Sequence, residues 1–542
     1  MLQVRLDERY RWRTLALGAL RADYVGREAT VRDILAGLPQ DRSPEAGEAG
    51  RLLLGIPGQF AAVVRGPGYA LAAVDKARCY PLFHGRTGRG LLLSNDARTV
   101  RDALDAPAVD PVALREFLLA GYVTGPRTVC HGVDQLQAGE LLLWEEATDD
   151  WVCHRYFRFH SREFLPDDPA ALKAELGRAV DAIFRRLVED LAGRPAWVPL
   201  SAGLDSRLVA CKLHELGYPN LQTFSYGTPG NHEAKHARTV ARTLGLPWRF
   251  IPSGGEANRA FFQSPARRAY WEMADGLCAI PSPQDIVELS GLLRRGELPA
   301  DAVLVNGNSG DFTTGGHLPR ALLEPGEGPD SLLDRFLGKH FALWRNLRTP
   351  GNLGPVREKL AGLARETDPA PASGEALAAL WDSLEQQERQ SKYVINGQRI
   401  YDYLGLDWRL PLWEDEFQLF WRKAPVAARL GQGLYKAWLD DWDYRGLFRE
   451  FKPVVGLWPG WRQGLFLAAQ AVGLAGRPAK EAFYAYARWL NHYGHQWQVY
   501  PLAHFLRHAR GIRNVLALYG DTWVRENLGM DPGEFLRGGA GQ

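Results

Sequence analysis

The chain has 542 residues, 65 Lys and Arg against 63 Asp and Glu, and a formal net charge of +2. That length exceeds what one hydrophobic core supports, so two or three domains are expected. The charge balance argues against a dedicated nucleic-acid binder, which concentrates positive charge to displace phosphate counterions, and 46% hydrophobic with 24% charged residues excludes wholesale disorder.

The start, Met1-Leu2-Gln3-Val4-Arg5, has no basic segment followed by an apolar one, so no secretory signal is read there. Runs such as Gly58 to Val64, Tyr69 to Val74 and Gly90 to Ser94 are short, apolar and bounded by Gly, Pro or charges, which predicts β-structure at hairpin spacing. Thr30 to Leu38 and Pro111 to Leu119 are expected as helices. A further hairpin is expected from Gly139 to Trp144 and Trp151 to Cys153, with its turn at Asp149-Asp150. Ser161 to Pro169 is the expected linker.

Beyond it the period changes. Leu172, Leu176, Val180, Ile183 and Leu187 fall on one face of a helix over Ala171 to Leu191. Strand and helix then alternate: Ala196 to Leu200, a helix from Asp205 to Leu216, Leu221 to Tyr226, a helix from His232 to Leu244, Trp248 to Ile251, and later Ala302 to Val305. This order predicts a parallel sheet with helices on its faces. Past Leu332 the chain reads as helical and rich in Trp and Tyr. The most apolar late stretch, Leu465 to Ala475, is broken by Gln470 and Gly473 and falls short of the roughly 20 residues of a membrane span, so a cytoplasmic protein without a transmembrane segment is expected.

Five cysteines, Cys79, Cys130, Cys153, Cys211 and Cys278, form no CxxC pair, so neither a zinc ribbon nor a disulfide framework is indicated. His232 with His236 and His504 with His508 share the i,i+4 spacing of zinc ligands but lack a third ligand nearby, which favours ordinary surface or core histidines. Arg507, Arg510 and Arg513 read as a solvated helix face, and Trp408, Trp413, Trp421, Trp438 and Trp442 as core.

The segment with chemical content is Leu200-Ser201-Ala202-Gly203-Leu204-Asp205-Ser206, where strand gives way to helix. Small residues there let backbone N–H groups approach a phosphate, and the helix start favours an anion. Ser201 and Ser206 offer hydroxyls. Asp205 would oppose a phosphate unless Mg²⁺ lay between them. The plainer reading is that Ser201 or Asp205 only caps the helix.

Ser201 to Ser206 resembles the pyrophosphate loop Ser-Gly-Gly-Xaa-Asp-Ser of the ATP-pyrophosphatase superfamily. Further segments extend the likeness: Thr223 to Glu233, Asn306-Gly307-Asn308-Ser309-Gly310-Asp311 with Gly315-Gly316-His317, Arg409 to Phe417, and in the first half Gly58 to Ala61, Val74 to Lys76, Pro81 to Phe83 and Leu136 to Gly139. Taken together the chain resembles the asparagine synthetase family. The resemblance implies an N-terminal β-rich, glutaminase-like α+β sandwich over residues 1–160. It further implies a parallel-sheet, Rossmann-like ATP-pyrophosphatase domain over 170–450 and a helical C-terminal extension over 451–542. It implies an ATP- and Mg²⁺-dependent ligase that activates a carboxylate as an acyl-adenylate, captured by ammonia or an amine. ATP would be held by Leu200, Ser201, Gly203, Asp205, Ser206, Tyr226, Asn306 and Gly307, and the metal by Asp205 and Asp311. A late lysine, Lys452 with Lys436 as its competitor, would contact the intermediate, and residues Phe448 to Trp461 would form a lid.

Three departures accompany the likeness. Active glutaminases of the family expose an N-terminal Cys, and here the start is Met1-Leu2-Gln3, so the first domain is expected to be a scaffold without its nucleophile. The family's Glu is Asn308, and Phe312 follows the metal Asp. Ala202 replaces a Gly, which a negative φ would tolerate. The acid is expected to be aspartate, a polysaccharide uronic acid, or a peptide or amino-acid derivative, with the departures in the Asn306 to His317 loop favouring an acceptor larger than aspartate, and the nitrogen to come from ammonia, a partner glutaminase or an amine. Intramolecular cyclisation of the β-lactam synthetase or lasso-peptide type, and a non-catalytic scaffold, are the alternatives.

Overall fold

The computed structural model describes residues 1–449, 498–509 and 511–538. Twelve strands fill the first part of the chain: β1 (Gln3–Arg5), β2 (Arg13–Leu17), β3 (Leu20–Gly26), β4 (Phe60–Gly66), β5 (Tyr69–Val74), β6 (Phe83–Thr87), β7 (Gly90–Ser94), β8 (Ala108–Val109), β9 (Cys130–His131), β10 (Asp134–Gln135), β11 (Glu140–Glu145) and β12 (Asp150–Arg155). Six of them form an antiparallel sheet in the order β12-β11-β5-β4-β3-β2, and four form a second sheet in the order β1-β7-β6-β10. Every residue of β5 is buried, which its Ala-rich sequence Tyr-Ala-Leu-Ala-Ala-Val permits by leaving room for close neighbours. The helices Glu28–Gly37 and Pro111–Ala120 match the expected segments closely.

The 23-residue helix Pro169–Leu191 opens the second half. Asp168 accepts hydrogen bonds from the N–H groups of Ala170 (3.0 Å) and Ala171 (3.2 Å), and Pro169 takes the first helical position, where its missing N–H costs nothing. Its apolar stripe, from Leu172 to Leu191, is buried as the periodicity requires. Next come β13 (Ala196–Pro199), β14 (Leu221–Gly227), β15 (Trp248–Pro252), β16 (Val303–Val305) and β17 (Asp407–Arg409). All pair in parallel, in the order β15-β14-β13-β16-β17. Ala196 of β13 lies opposite Leu221 on one side and Val303 on the other. The chain therefore builds outward from β13 in one direction through β14 and β15, then returns to build the other way. A sheet of this kind leaves a crevice beyond the strand C-termini at that reversal. The edge strand β17 interrupts a region that sequence periodicity reads as helical.

The two halves interlock through buried polar contacts. Gln59 Nε2 donates to the carbonyl of Leu410 (2.9 Å), and Lys76 pairs with Asp415. Arg399, fully buried, donates to the carbonyl of Cys79 (2.7 Å) and lies 5.3 Å from the ring centroids of both Tyr10 and Tyr80. Among the described C-terminal residues, helix Leu516–Leu528 sends Trp523 against Phe117, with ring centroids 4.5 Å apart, and its indole N–H to Asp275 (2.6 Å). Trp408, Trp413 and Trp421 are at most 1% exposed, in keeping with core roles. No described helix is long and apolar enough to cross a membrane.

Candidate active site

At the reversal between β13 and β16 the crevice deepens into a cavity of about 560 Å³. Three chain segments meet there: the turn after β13, the end of β14, and the turn after β16. Leu200, Ser201, Gly203, Asp205, Ser206, Tyr226, Asn306, Gly307 and Asp311, which the sequence scatters over more than a hundred positions, all line this one cavity. Lys436 is exposed, away from the cavity, with its ammonium donating to the carbonyl of Gly431 (2.8 Å). Lys452 and nearly all of the segment expected to form a lid lie outside the described residues.

The loop after β13 is shaped by its own side chains. Ser206 Oγ accepts from the Ser201 N–H (3.1 Å) and lies 3.0 Å from Ser201 Oγ, which in turn accepts from the Gly203 N–H (3.1 Å). Arg207 reaches back to the carbonyls of Gly203 (3.3 Å) and Ala202 (3.2 Å) and to that of Leu447 (2.6 Å). Ala202 keeps a negative φ, so the missing glycine costs no strain. Helix Leu204–Glu215 begins at Gly203 with no side-chain cap. The capping role considered for Ser201 or Asp205 is thus not the one adopted. The first-turn N–H groups face the cavity's end of the sheet, an arrangement that suits an anion.

Asp205 sits in the first turn of that helix, where the second loop closes on it. Its Oδ2 accepts from the Asp311 N–H (3.1 Å) and its Oδ1 from the Tyr435 hydroxyl (3.0 Å). Glycine makes the approach possible: a Cβ on Gly307 would lie 2.9 Å from the Asp205 carbonyl carbon and 3.0 Å from the Ser206 nitrogen, closer than real Cβ atoms come. A methyl on Gly310 would collide with the Asp205 carboxylate. Burial, reinforced by the neighbouring Asp311, pushes the Asp205 carboxyl up to about 7. Burial also works against Asp311, but the hydrogen bond and charge of His317 outweigh it and hold Asp311 below its ordinary value. His317 Nε2 lies 3.2 Å from Asp311 Oδ2, and its Nδ1 pairs with Glu385. Burial disfavours the imidazolium, yet these two carboxylates raise His317 to about 9. Glu385, fully buried, is also met by Lys339 (2.9 Å), and falls well below its ordinary value despite its burial.

No group of three or more His, Cys, Asp and Glu residues converges on a metal position among the described residues. Two adjacent acids, one of them raised by the other, are a donor set for a cation that completes its shell elsewhere. Mg²⁺ fits, since it takes one or two carboxylates and fills its octahedron with phosphate and water oxygens.

The cavity's far wall was not foreseen in the sequence. It is a π-helical segment, Glu385–Val394, held from several sides. Gln386 Nε2 donates to the carbonyl of Lys76 (2.8 Å), Gln387 Oε1 accepts from Arg155 (2.6 Å), and Glu388 pairs with Lys392 (2.5 Å) while accepting from the Gly125 N–H (2.8 Å). Lys76, Gly125 and Arg155 all belong to the first half of the chain. Thus the N-terminal sheets fix the segment that presents Arg389, Gln390 and Tyr393 to the cavity. Asp285, Tyr401 and Asn306 form a chain on the same wall: the Tyr401 hydroxyl donates to Asp285 (3.1 Å) and accepts from Asn306 Nδ2 (3.2 Å). Runs of wide helix of this kind favour functional sites, but nothing in the residue pattern of Glu385 to Val394 distinguishes it from an ordinary polar helix.

Comparison with known proteins bears on the second half of the chain. A family model described as asparagine synthase matches residues 175–441. No curated protein sequence matches the chain. Among solved structures, the glutamine phosphoribosylpyrophosphate amidotransferase from B. subtilis, complexed with ADP and GMP, aligns at 13% identity with a TM-score of 0.15. That alignment covers 56% of this chain and 58% of that one, so the match spans less than two thirds of the relative's length.

Proposed function

We propose, from the match of residues 175–441 to the asparagine synthase family model, that the protein is an ATP-dependent, AMP-forming ligase that joins a carboxylate to an amine. One observation carries the reading. The uncapped loop from Ser201 to Ser206, Asp205 and Asp311 converge in a single crevice at the point where the parallel sheet reverses direction.

In this reading the first-turn N–H groups and the hydroxyls of Ser201 and Ser206 hold the β- and γ-phosphates, and the adenosine lies along Tyr226 and Asn306. Asp205 and Asp311 would hold Mg²⁺ with the phosphates, where it would supply charge neutralisation for the departing pyrophosphate. A carboxylate oxygen of the acid attacks the α-phosphorus and the bond to the β-phosphate oxygen breaks, giving an acyl-adenylate and pyrophosphate. An amine then attacks the acyl carbon, the carbon–oxygen bond to AMP breaks, and the amine's proton leaves with solvent. The chain's residues contribute position and fixed charge rather than covalent chemistry, as in phosphoryl transfer generally.

The nitrogen comes from ammonia or an amine rather than from glutamine hydrolysed by this chain. Burial raises the thiols of Cys79, Cys130, Cys153, Cys211 and Cys278, those of Cys153 and Cys211 to about 12, so none is poised as a thiolate nucleophile. The N-terminal half then serves as a scaffold, and the contacts from Lys76, Gly125 and Arg155 to the π-helical wall are what it supplies. Incubation with MgATP and a panel of carboxylic acids, assayed by exchange of labelled pyrophosphate into ATP, tests the reading. Acid-dependent exchange is expected, and its absence across amino, uronic and peptidyl acids would count against it.

A further inference from the structure

The loop after β16 carries Asp311 into the cavity on a side chain with few restraints. Among the described residues its carboxylate meets two groups: the Phe312 N–H, which donates to Oδ1 (2.8 Å), and His317 Nε2, 3.2 Å from Oδ2. The first belongs to the same turn, and the second leads away from it. The other ring nitrogen of His317, Nδ1, pairs with Glu385. The second carboxylate oxygen of Glu385 is met by Lys339 (2.9 Å), which also donates to the His317 carbonyl (3.2 Å). Glu385 has no exposed surface, and its place is fixed from outside the loop. Gln386 and Gln387, next along the chain, bond to the Lys76 carbonyl and to Arg155 of the first half. The imidazole is also held by shape. Its ring meets Phe312 edge-on with centroids 6.0 Å apart, and Phe312, completely buried, stacks on Trp413 at 6.0 Å. Burying a carboxylate is costly unless it is paired, and Lys339 alone would meet that need for Glu385. It would not account for the other oxygen, which is committed to a ring whose far side reaches Asp311.

We propose that Glu385 is a positioning residue for the metal: through His317 it holds the Asp311 carboxylate in the orientation that takes Mg²⁺ together with Asp205. An imidazole bridging a buried carboxylate and one that faces the cavity is the arrangement of an outer partner behind a metal ligand. Neither Glu385 nor His317 needs to touch the nucleotide or the acid for this. Phe312, a departure from the family's acidic pattern, then serves as the wall that keeps the ring in line with both carboxylates. The inference rests on the ligase reading for the metal, whereas the hydrogen-bonded series Asp311, His317 and Glu385 belongs to this chain's own residues.

The test titrates Mn²⁺ into the full chain with the α,β-methylene analogue of ATP. Mn²⁺ suits the same oxygen ligands as Mg²⁺, and its free ion is counted by electron paramagnetic resonance. Glu385→Gln and His317→Phe are each expected to weaken Mn²⁺ binding about 10- to 100-fold, the usual effect of losing an outer partner of a metal ligand. The double variant should lose no more than the weaker-binding single one, because the two residues act in series. Asp382→Asn is the control. It breaks another buried pair, with Arg429 (2.6 Å), one turn before Glu385, and should lower the denaturation midpoint without changing Mn²⁺ affinity. Unchanged affinity in Glu385→Gln or in His317→Phe would overturn the proposal. So would an equal loss in Asp382→Asn, which would make the effect a general loosening. Should Glu385→Gln not fold, His317→Phe and the control carry the same decision. A second readout needs no metal. The hydrogen-bonded ring N–H of His317 should give a low-field proton resonance, absent in His317→Phe and shifted in both Asp311→Asn and Glu385→Gln. Failure of the unaltered chain to bind Mn²⁺ with the analogue would count against the metal of the ligase reading. The resonance then decides alone whether Glu385 acts on Asp311 through His317: a shift in both variants supports it, and a signal indifferent to either overturns it.

Discussion

The N–H of Asp311 donates to the Oδ2 of Asp205 across 106 positions of sequence, at 3.1 Å. That contact joins the two loops at the heart of the crevice and sets two carboxylates side by side. It also makes the first prediction. Asp205→Asn and Asp311→Asn should each lower pyrophosphate exchange by more than about 100-fold, the upper range for residues that merely support metal ligands. Asp205→Asn should at the same time leave the fold as stable as before or more so, because it removes a carboxylate that burial and Asp311 both disfavour. Exchange rates and denaturation midpoints on the same preparations would check the pair of effects.

A second prediction concerns how the loops touch. Gly310→Ala would push a methyl into the Asp205 carboxylate, and Gly307→Ala would crowd the Asp205 and Ser206 backbone. Each should cost about 1–3 kcal/mol of stability, the usual cost of overpacking, and reduce exchange far more than an alanine at Gly338, where φ is negative and a Cβ meets nothing within 4 Å. Urea midpoints and exchange rates measured on the three variants distinguish loop crowding from a general loss of glycine.

The loop from Ser201 to Ser206 was legible as a turn between strand and helix because its pattern is local: strand, small-residue turn and helix are contiguous from Ala196 to Glu215. Its partner Asp311 was legible only through the family likeness, since no local rule brings two residues so far apart in the chain together. Arg389 left no trace. Its exposure to the cavity depends on a wide helical register, and that register is fixed by Lys76, Gly125 and Arg155 from another part of the fold. Strand β17 was hidden for a related reason. Three residues, Asp407-Trp408-Arg409, are too few to show alternation, and they are strand because β16 offers an edge.

The third prediction is one of pH. Burial pushes the His84 imidazole down to about 4. A histidine lowered in the folded state contributes stability that is complete above its unfolded value near 6.5 and is lost as pH falls towards the folded one. His84→Gln removes that dependence. The stability gap between the unaltered chain and His84→Gln should therefore shrink by about 2 kcal/mol between pH 7 and pH 5. Denaturant titrations of both proteins at the two pH values measure it, and titrating groups elsewhere, common to both, cancel in the difference.

The fourth prediction follows from the thiols. With every thiol raised by the protein packed around it, the chain should release no glutamate from glutamine, with or without MgATP, and alkylating Cys153, whose residue still reaches the surface, should not change pyrophosphate exchange. Glutamate detection on the pure chain checks the first part and an iodoacetamide-treated sample the second.

The most direct measurement of the central claim follows oxygen. The acids that support exchange are labelled with ¹⁸O in their carboxyl groups and turned over with MgATP and an amine, and the nucleotide product is read by mass spectrometry. Activation at the α-phosphorus places one acid-derived oxygen in AMP for each amide formed, with pyrophosphate as the other product. Appearance of ADP and phosphate, or of AMP without the label, would contradict it.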